Sequence, residues 1–85
     1  MKIRDLKKSV SKMNIPKGAI SFQGGFPPDA HCIARVGRNW EVYYSEKGQK
    51  TNQVFFDSEH DACEYLFAIA KKIEELYRNC IIIKR

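Results

Sequence analysis

His31-Cys32 and His60-Asp61-Ala62-Cys63 are the residues of this chain whose types and spacing suit chemistry. On a helix the second pair lies one turn apart, a spacing that tetrahedral zinc accepts. Against a metal centre, the paired Cys-x-x-Cys knuckles of structural zinc sites are missing. Cys63 also falls on an apolar stripe, where a small thiol packs well. Neither a metal nor a cofactor is expected. A Cys/His catalytic pair needs an activated thiolate beside a base, with an oxyanion site. The sequence offers no nucleophile elbow, no GxGxxG and no P-loop, and Gly24-Gly25 by itself is a turn signal. Without a convincing acid/base pair in 85 residues, the expectation is a protein that is not an enzyme.

Those residues sit on elements that the sequence outlines. Ile3, Leu6, Val10 and Met13 make one apolar stripe on a helix, with lysines on its other faces. Asn14-Ile15-Pro16 ends that helix, because the residue before proline disfavours the α region. "GAISFQGGFPPDA" reads as a structured loop with a short extended piece at Ala19–Phe22. "HCIARV" predicts a strand, Gly37-Arg38-Asn39 a tight turn, and "WEVYYS" a second strand. "EKGQKTN" reads as a polar loop and "QVFFD" as a third strand. Ser58 then caps a helix over about residues 58–79, with acids in its first turn where the dipole favours them. Its stripe is Ala62, Leu66, Ile69, Ile73 and Leu76, widened by Cys63, Ala70 and Tyr77. The tail "CIIIKR" suits either a further strand or packing under a neighbour. The expected fold is α+β in one domain, residues 1–85: a helix, a three- to four-stranded antiparallel sheet, and a long C-terminal helix packed on one face.

Composition bounds the function classes. The chain is 44% hydrophobic and 29% charged, enough for a core and for solubility. Its length leaves no room for a second core. No apolar run approaches the roughly 20 residues that span a bilayer, so no membrane partner is expected. The charged start "MKIRDLKKSVSKMN" lacks the apolar segment of a secretory signal, and a cytoplasmic protein with reduced thiols is expected. The net charge of +5 resides in residues 1–18, which hold six Lys/Arg against Asp5. The remaining chain is balanced.

That asymmetry weakens an argument from pI to nucleic acid and leaves such binding to Lys7, Lys8 and Lys12 on the first helix. Helix–strand–strand–strand–helix is also the element order of double-stranded-RNA-binding domains, which grip phosphate at the start of the second helix. Here that position carries Asp57, Glu59, Asp61 and Glu64, which repel a phosphate backbone. The same acids, with Glu41 and Glu46 nearby, suit either the helix dipole or a negative patch that meets a basic partner. In "WEVYYSEKG", period-two alternation puts Trp40, Val42 and Tyr44 on the core face and Glu41, Tyr43 and Ser45 on the other. Tyr43 is therefore expected to look outward.

The string "IPKGAISFQGG.P", followed by "W.VYYSEKG" and "F.SEHDACEYLF", resembles a group of small bacterial immunity proteins associated with polymorphic and contact-dependent growth inhibition toxins. The resemblance covers about residues 14–67. It implies a non-enzymatic inhibitor that binds its cognate toxin one-to-one and occludes the toxin's active site. Partner contacts would come from Tyr43, Glu46 and Lys47 in the hairpin and from Asp57, Glu59, Asp61 and Glu64 at the helix start. Inhibitors of nucleases are often acidic, whereas this chain is +5. Either the local acidic patch makes the contact, or the toxin offers an acidic surface to the basic helix. The alternative is a small nucleic-acid-binding domain working through Lys7, Lys8 and Lys12.

Overall fold

The computed structural model describes residues 1–83, with side chains as far as Arg78. Two helices, α1 (Ile3–Ser11) and α2 (Glu59–Ile83), enclose four strands in sequence: β1 (Ile20–Ser21), β2 (Ala30–Val36), β3 (Asn39–Glu46) and β4 (Gln49–Phe56). The architecture is α+β, as the periodicities predict.

The sheet order is β1-β2-β3-β4, with β2, β3 and β4 an antiparallel meander. β1 is the fourth strand and pairs parallel to β2, Ile20 with His31 and Ser21 with Cys32. Gly37-Arg38 joins β2 to β3, since Val36 already faces Asn39. The expected polar loop after "WEVYYS" is instead a two-residue turn. Lys47 (φ 52°) and Gly48 (φ 74°) both take positive φ, the signature of the turns whose twist matches a hairpin. With Glu46 paired to Gln49, the chain re-enters the sheet at once and β4 is longer than "QVFFD".

α1 and α2 lie on one face of the sheet. Leu6, Ile33, Val42, Ala62, Cys63 and Leu66 form the core there, with Trp40, Phe56, Phe67 and Ile69 packed around it. The helices meet at their starts. The Ile3 amide donates to Glu59 Oε2 at 2.9 Å, and the Met1 ammonium contacts His60 Nδ1. Ser58 caps α2 as expected, its Oγ accepting the Asp61 amide at 3.2 Å. α2 runs through Ile83, so Cys80–Ile83 continues the helix and adds no strand; Lys84 and Arg85 lie outside the described residues.

One residue of the predicted α2 stripe turns away. Leu76 is 57% exposed, while Ala62, Leu66 and Ala70 are fully buried. Ala62, Ile69 and Leu76 repeat every seven residues, and a straight helix drifts about 20° per heptad. After two heptads Leu76 has rotated off the sheet.

Candidate functional site

Tyr43 stands on the face that alternation assigns it, opposite the helices, yet it is 1% exposed. The expectation of an outward-looking Tyr43 is corrected, because that face is covered. The segment Phe22–Asp29 crosses the back of the sheet as a strap, and the Tyr43 hydroxyl donates to the Gly25 carbonyl at 2.7 Å. A Cβ on Gly24 would lie 3.4 Å from the Ala34 Cβ, so the strap approaches the strands backbone-first. Gly24 and Gly25 adopt φ of 73° and 74°, a region open to glycine. Ala30, Cys32 and Tyr43 form a second small core beneath the strap. Burial pushes the Tyr43 hydroxyl up to about 12 and also raises the Cys32 thiol.

Glu41 shares this back face and is 2% exposed. Its carboxylate accepts Lys50 Nζ at 3.1 Å and Gln53 Nε2 at 2.7 Å. The Lys50 ammonium also stands 4.5 Å from the Tyr43 ring centroid and 5.8 Å from that of Phe26. Residues 50 and 53 of a regular strand would point to opposite faces. A bulge in β4 resolves this: Val42 pairs with Val54 and Tyr44 with Thr51, so Asn52 and Gln53 together oppose Tyr43. Asn52 takes φ 53°, the left-handed conformation of such a bulge. Lys50 and Gln53 therefore reach the same carboxylate, while Val54 and Phe56 still face the helix side, where Phe56 packs on the core.

The candidate partner residues divide between the two ends of the sheet. Glu46 and Lys47 sit at the β3–β4 turn, and Lys47 is exposed. Asp57, Glu59, Asp61 and Glu64 gather beyond the other end of β4, about 25 Å away along eight residues of strand. Glu59 is half-buried and engaged by the Ile3 amide, so it joins the helices. Asp57, Asp61 and Glu64 are exposed. Beside them stand two aromatics not expected as site residues, Phe55 (56% exposed) and Tyr65 (40%). They bracket the end of β4 from opposite faces, Tyr65 stacking on Phe56 with ring centroids 5.3 Å apart. The doublet Phe55-Phe56 carried the signal, since adjacent residues of a strand cannot both enter one core.

The remaining candidates are scattered. Lys7, Lys8 and Lys12 are all exposed on α1, but Lys7 leans over the Phe22 ring at 5.6 Å. Lys8 and Lys12, one turn apart, continue a row from Arg4 on the outward face. His31 lies on the helix face against Tyr44 (centroids 4.7 Å), where burial lowers its pKa, whereas Cys32 turns to the back face. Cys63 is buried in the main core, its thiol pushed up to about 11 by burial. Among the described residues no three His, Cys, Asp or Glu side chains gather to hold a metal ion. Nor is any helix among them long and apolar enough to cross a membrane.

No family model matches the chain, and neither a curated protein nor a solved structure matches it.

Proposed function

We propose that this chain is a non-enzymatic immunity protein of the bacterial cytoplasm that binds a cognate toxin domain one-to-one and blocks its active site. The observation that carries the reading is the patch around the end of β4. Tyr65 is exposed on α2 among Asp61 and Glu64, and Phe55 is exposed on the other side of the strand end that leads into Asp57. Aromatic side chains are enriched in protein–protein interfaces, and a charge cluster of one sign steers a complementary partner. The patch stands on a hydrogen-bonded strand and the capped first turns of α2, so little ordering entropy is lost on binding. Its acidity suits a toxin with a basic active-site cleft, despite the overall charge of +5. The sequence resemblance over residues 14–67 supports the same reading.

Nucleic-acid binding through Lys7, Lys8 and Lys12 is the alternative. The row Arg4, Lys8 and Lys12 favours it, while the direction of Lys7 and the acids of α2 weigh against it.

The test is co-expression with a candidate toxin domain, namely the variable C-terminal domain of a large secreted protein if a neighbouring gene encodes one. The chain should rescue growth and co-purify with the domain, and Tyr65→Ala with Asp61→Lys should abolish both while the circular dichroism stays native. Tight RNA binding lost on replacing Lys7, Lys8 and Lys12, without rescue or complex, would establish the alternative instead.

A further inference from the structure

The exposed flank of α2 carries a pattern that extends beyond the proposed toxin patch, with which it shares Asp61 and Tyr65. Successive residues of a helix are 100° apart, so Asp61, Tyr65, Lys72 and Leu76 fall on one side, with Ile69 and Ile73 at its inner border. Among the described residues of α2, Tyr65 and Leu76 are the exposed large hydrophobics. The flank overlooks an open trench of about 310 Å³ between α2 and the β3–β4 hairpin, walled by Tyr44, Val54, Tyr65 and Ile69. At His31 and Tyr44 this trench joins a second hollow of about 560 Å³ that reaches Ile73 and Pro27-Pro28. The flank thus sets Tyr65 and Leu76 beside a groove of mixed lining, in which Asn52 and Gln53 accompany the apolar walls.

We propose that this flank is the contact between two copies of the chain, paired antiparallel along α2. Its charges identify the occupant. The acid Asp61 stands at the N-terminal end of the flank and the cation Lys72 towards the C-terminal end, both exposed. A flank with one sign at each end complements itself when reversed, which a two-fold axis does. Centred between Ala68 and Ile69, the pairing sets Tyr65 opposite the partner's Lys72, an ammonium over an aromatic ring. Asp61 lies one turn further, about 6 Å along the axis and within reach of the same lysine. Ala68, exposed and small, lets the two backbones approach at the centre.

The size of the contact sets its strength. From Asp61 to Leu76 the flank runs about 23 Å, and at roughly 10 Å wide it offers about 230 Å² per copy. Stable dimers bury roughly 800 Å² per partner, so this contact is a weak, rapidly reversible one. The association needs no toxin, but Asp61 and Tyr65 belong to both surfaces, so a toxin displaces the second copy.

Sedimentation velocity of the full chain alone, from about 20 µM to 1 mM, tests this. Reversible conversion from monomer to dimer across that range is the expected result. Leu76→Glu should weaken it at least about tenfold. Because Leu76 is exposed, that variant keeps its native circular dichroism. Asp61→Lys and Lys72→Asp should each weaken association about fivefold, and the double variant should recover most of the loss. A chain that stays monomeric to 1 mM overturns the proposal. So does a dimer indifferent to Leu76→Glu, or charge reversals that do not rescue each other. None of these results bears on rescue from a toxin, which is measured separately.

Discussion

Gln53 donates to the Glu41 carboxylate at 2.7 Å from a position that strict strand alternation would turn to the other face of the sheet. The contact exists because β4 gains a residue at Asn52. The bulge thus serves two ends at once: it brings two donors to a buried acid and returns Val54 and Phe56 to the helix side of the sheet.

The first prediction concerns that bulge. Asn52→Val should destabilise the fold by about 1–2 kcal/mol, because a β-branched residue is forced to positive φ. Asn52→Gly should stay within about 0.5 kcal/mol of the parent, since glycine adopts the conformation freely. Urea denaturation distinguishes the two.

Lys50 holds a carboxylate that water scarcely reaches. Lys50→Met should cost about 2–3 kcal/mol, below the full penalty of a deeply buried pair because Lys50 is itself partly exposed. Adding Glu41→Gln should recover much of that loss, since no charge is then left unpaired. A double variant less stable than Lys50→Met would contradict this assignment.

Stability should fall at alkaline pH through Tyr43 and Cys63. Burial raises the Tyr43 hydroxyl from 10.0 to about 12 and the Cys63 thiol from 9.0 to about 11. Both groups are held neutral in the fold, so the unfolded chain loses its protons first. The stabilisation is complete below pH 9, declines as pH rises through the two intervals, and is gone above 12. Tyr43→Phe should remove the component between 10 and 12 and cost about 1 kcal/mol at neutral pH through the lost bond to Gly25. Chemical denaturation at stepped pH values measures both effects.

The acids at the start of α2 should separate by role. Glu59→Ala should lower stability by about 1–2 kcal/mol, because it leaves the part-buried Ile3 amide without its acceptor. Asp57→Ala and Glu64→Ala should change stability by less than about 0.5 kcal/mol and act on partner binding. Thermal melts beside a toxin-binding assay give the split.

Much of this fold was legible in the sequence, and the failures have local causes. Ser58 with its following acids marked the start of α2, and Gly37-Arg38 marked a turn. Alternation assigned Trp40, Val42 and Tyr44 to the helix side correctly. It gave the face of Tyr43 but not its cover, because a strap laid down through Gly24 and Gly25 has no side-chain period to detect. Lys47-Gly48 was hidden in a polar run whose composition resembles a loop, and the bulge at Asn52 leaves no mark in hydropathy. Leu76 was misplaced by a seven-residue spacing that outruns a helix. Of the candidate site, the exposed carboxylates were legible individually. Their separation from Glu46 and Lys47 required knowing that β4 spans the length between them.

The strap has a consequence for how the chain is made. Residues 22–29 leave the ribosome before the strands they cover, and their fixed points, Tyr43 and Ala34, arrive later. The nascent segment therefore has nothing to bind until the β2–β3 hairpin has closed. Its place on the back of the sheet thus depends on a hairpin that follows it in the chain.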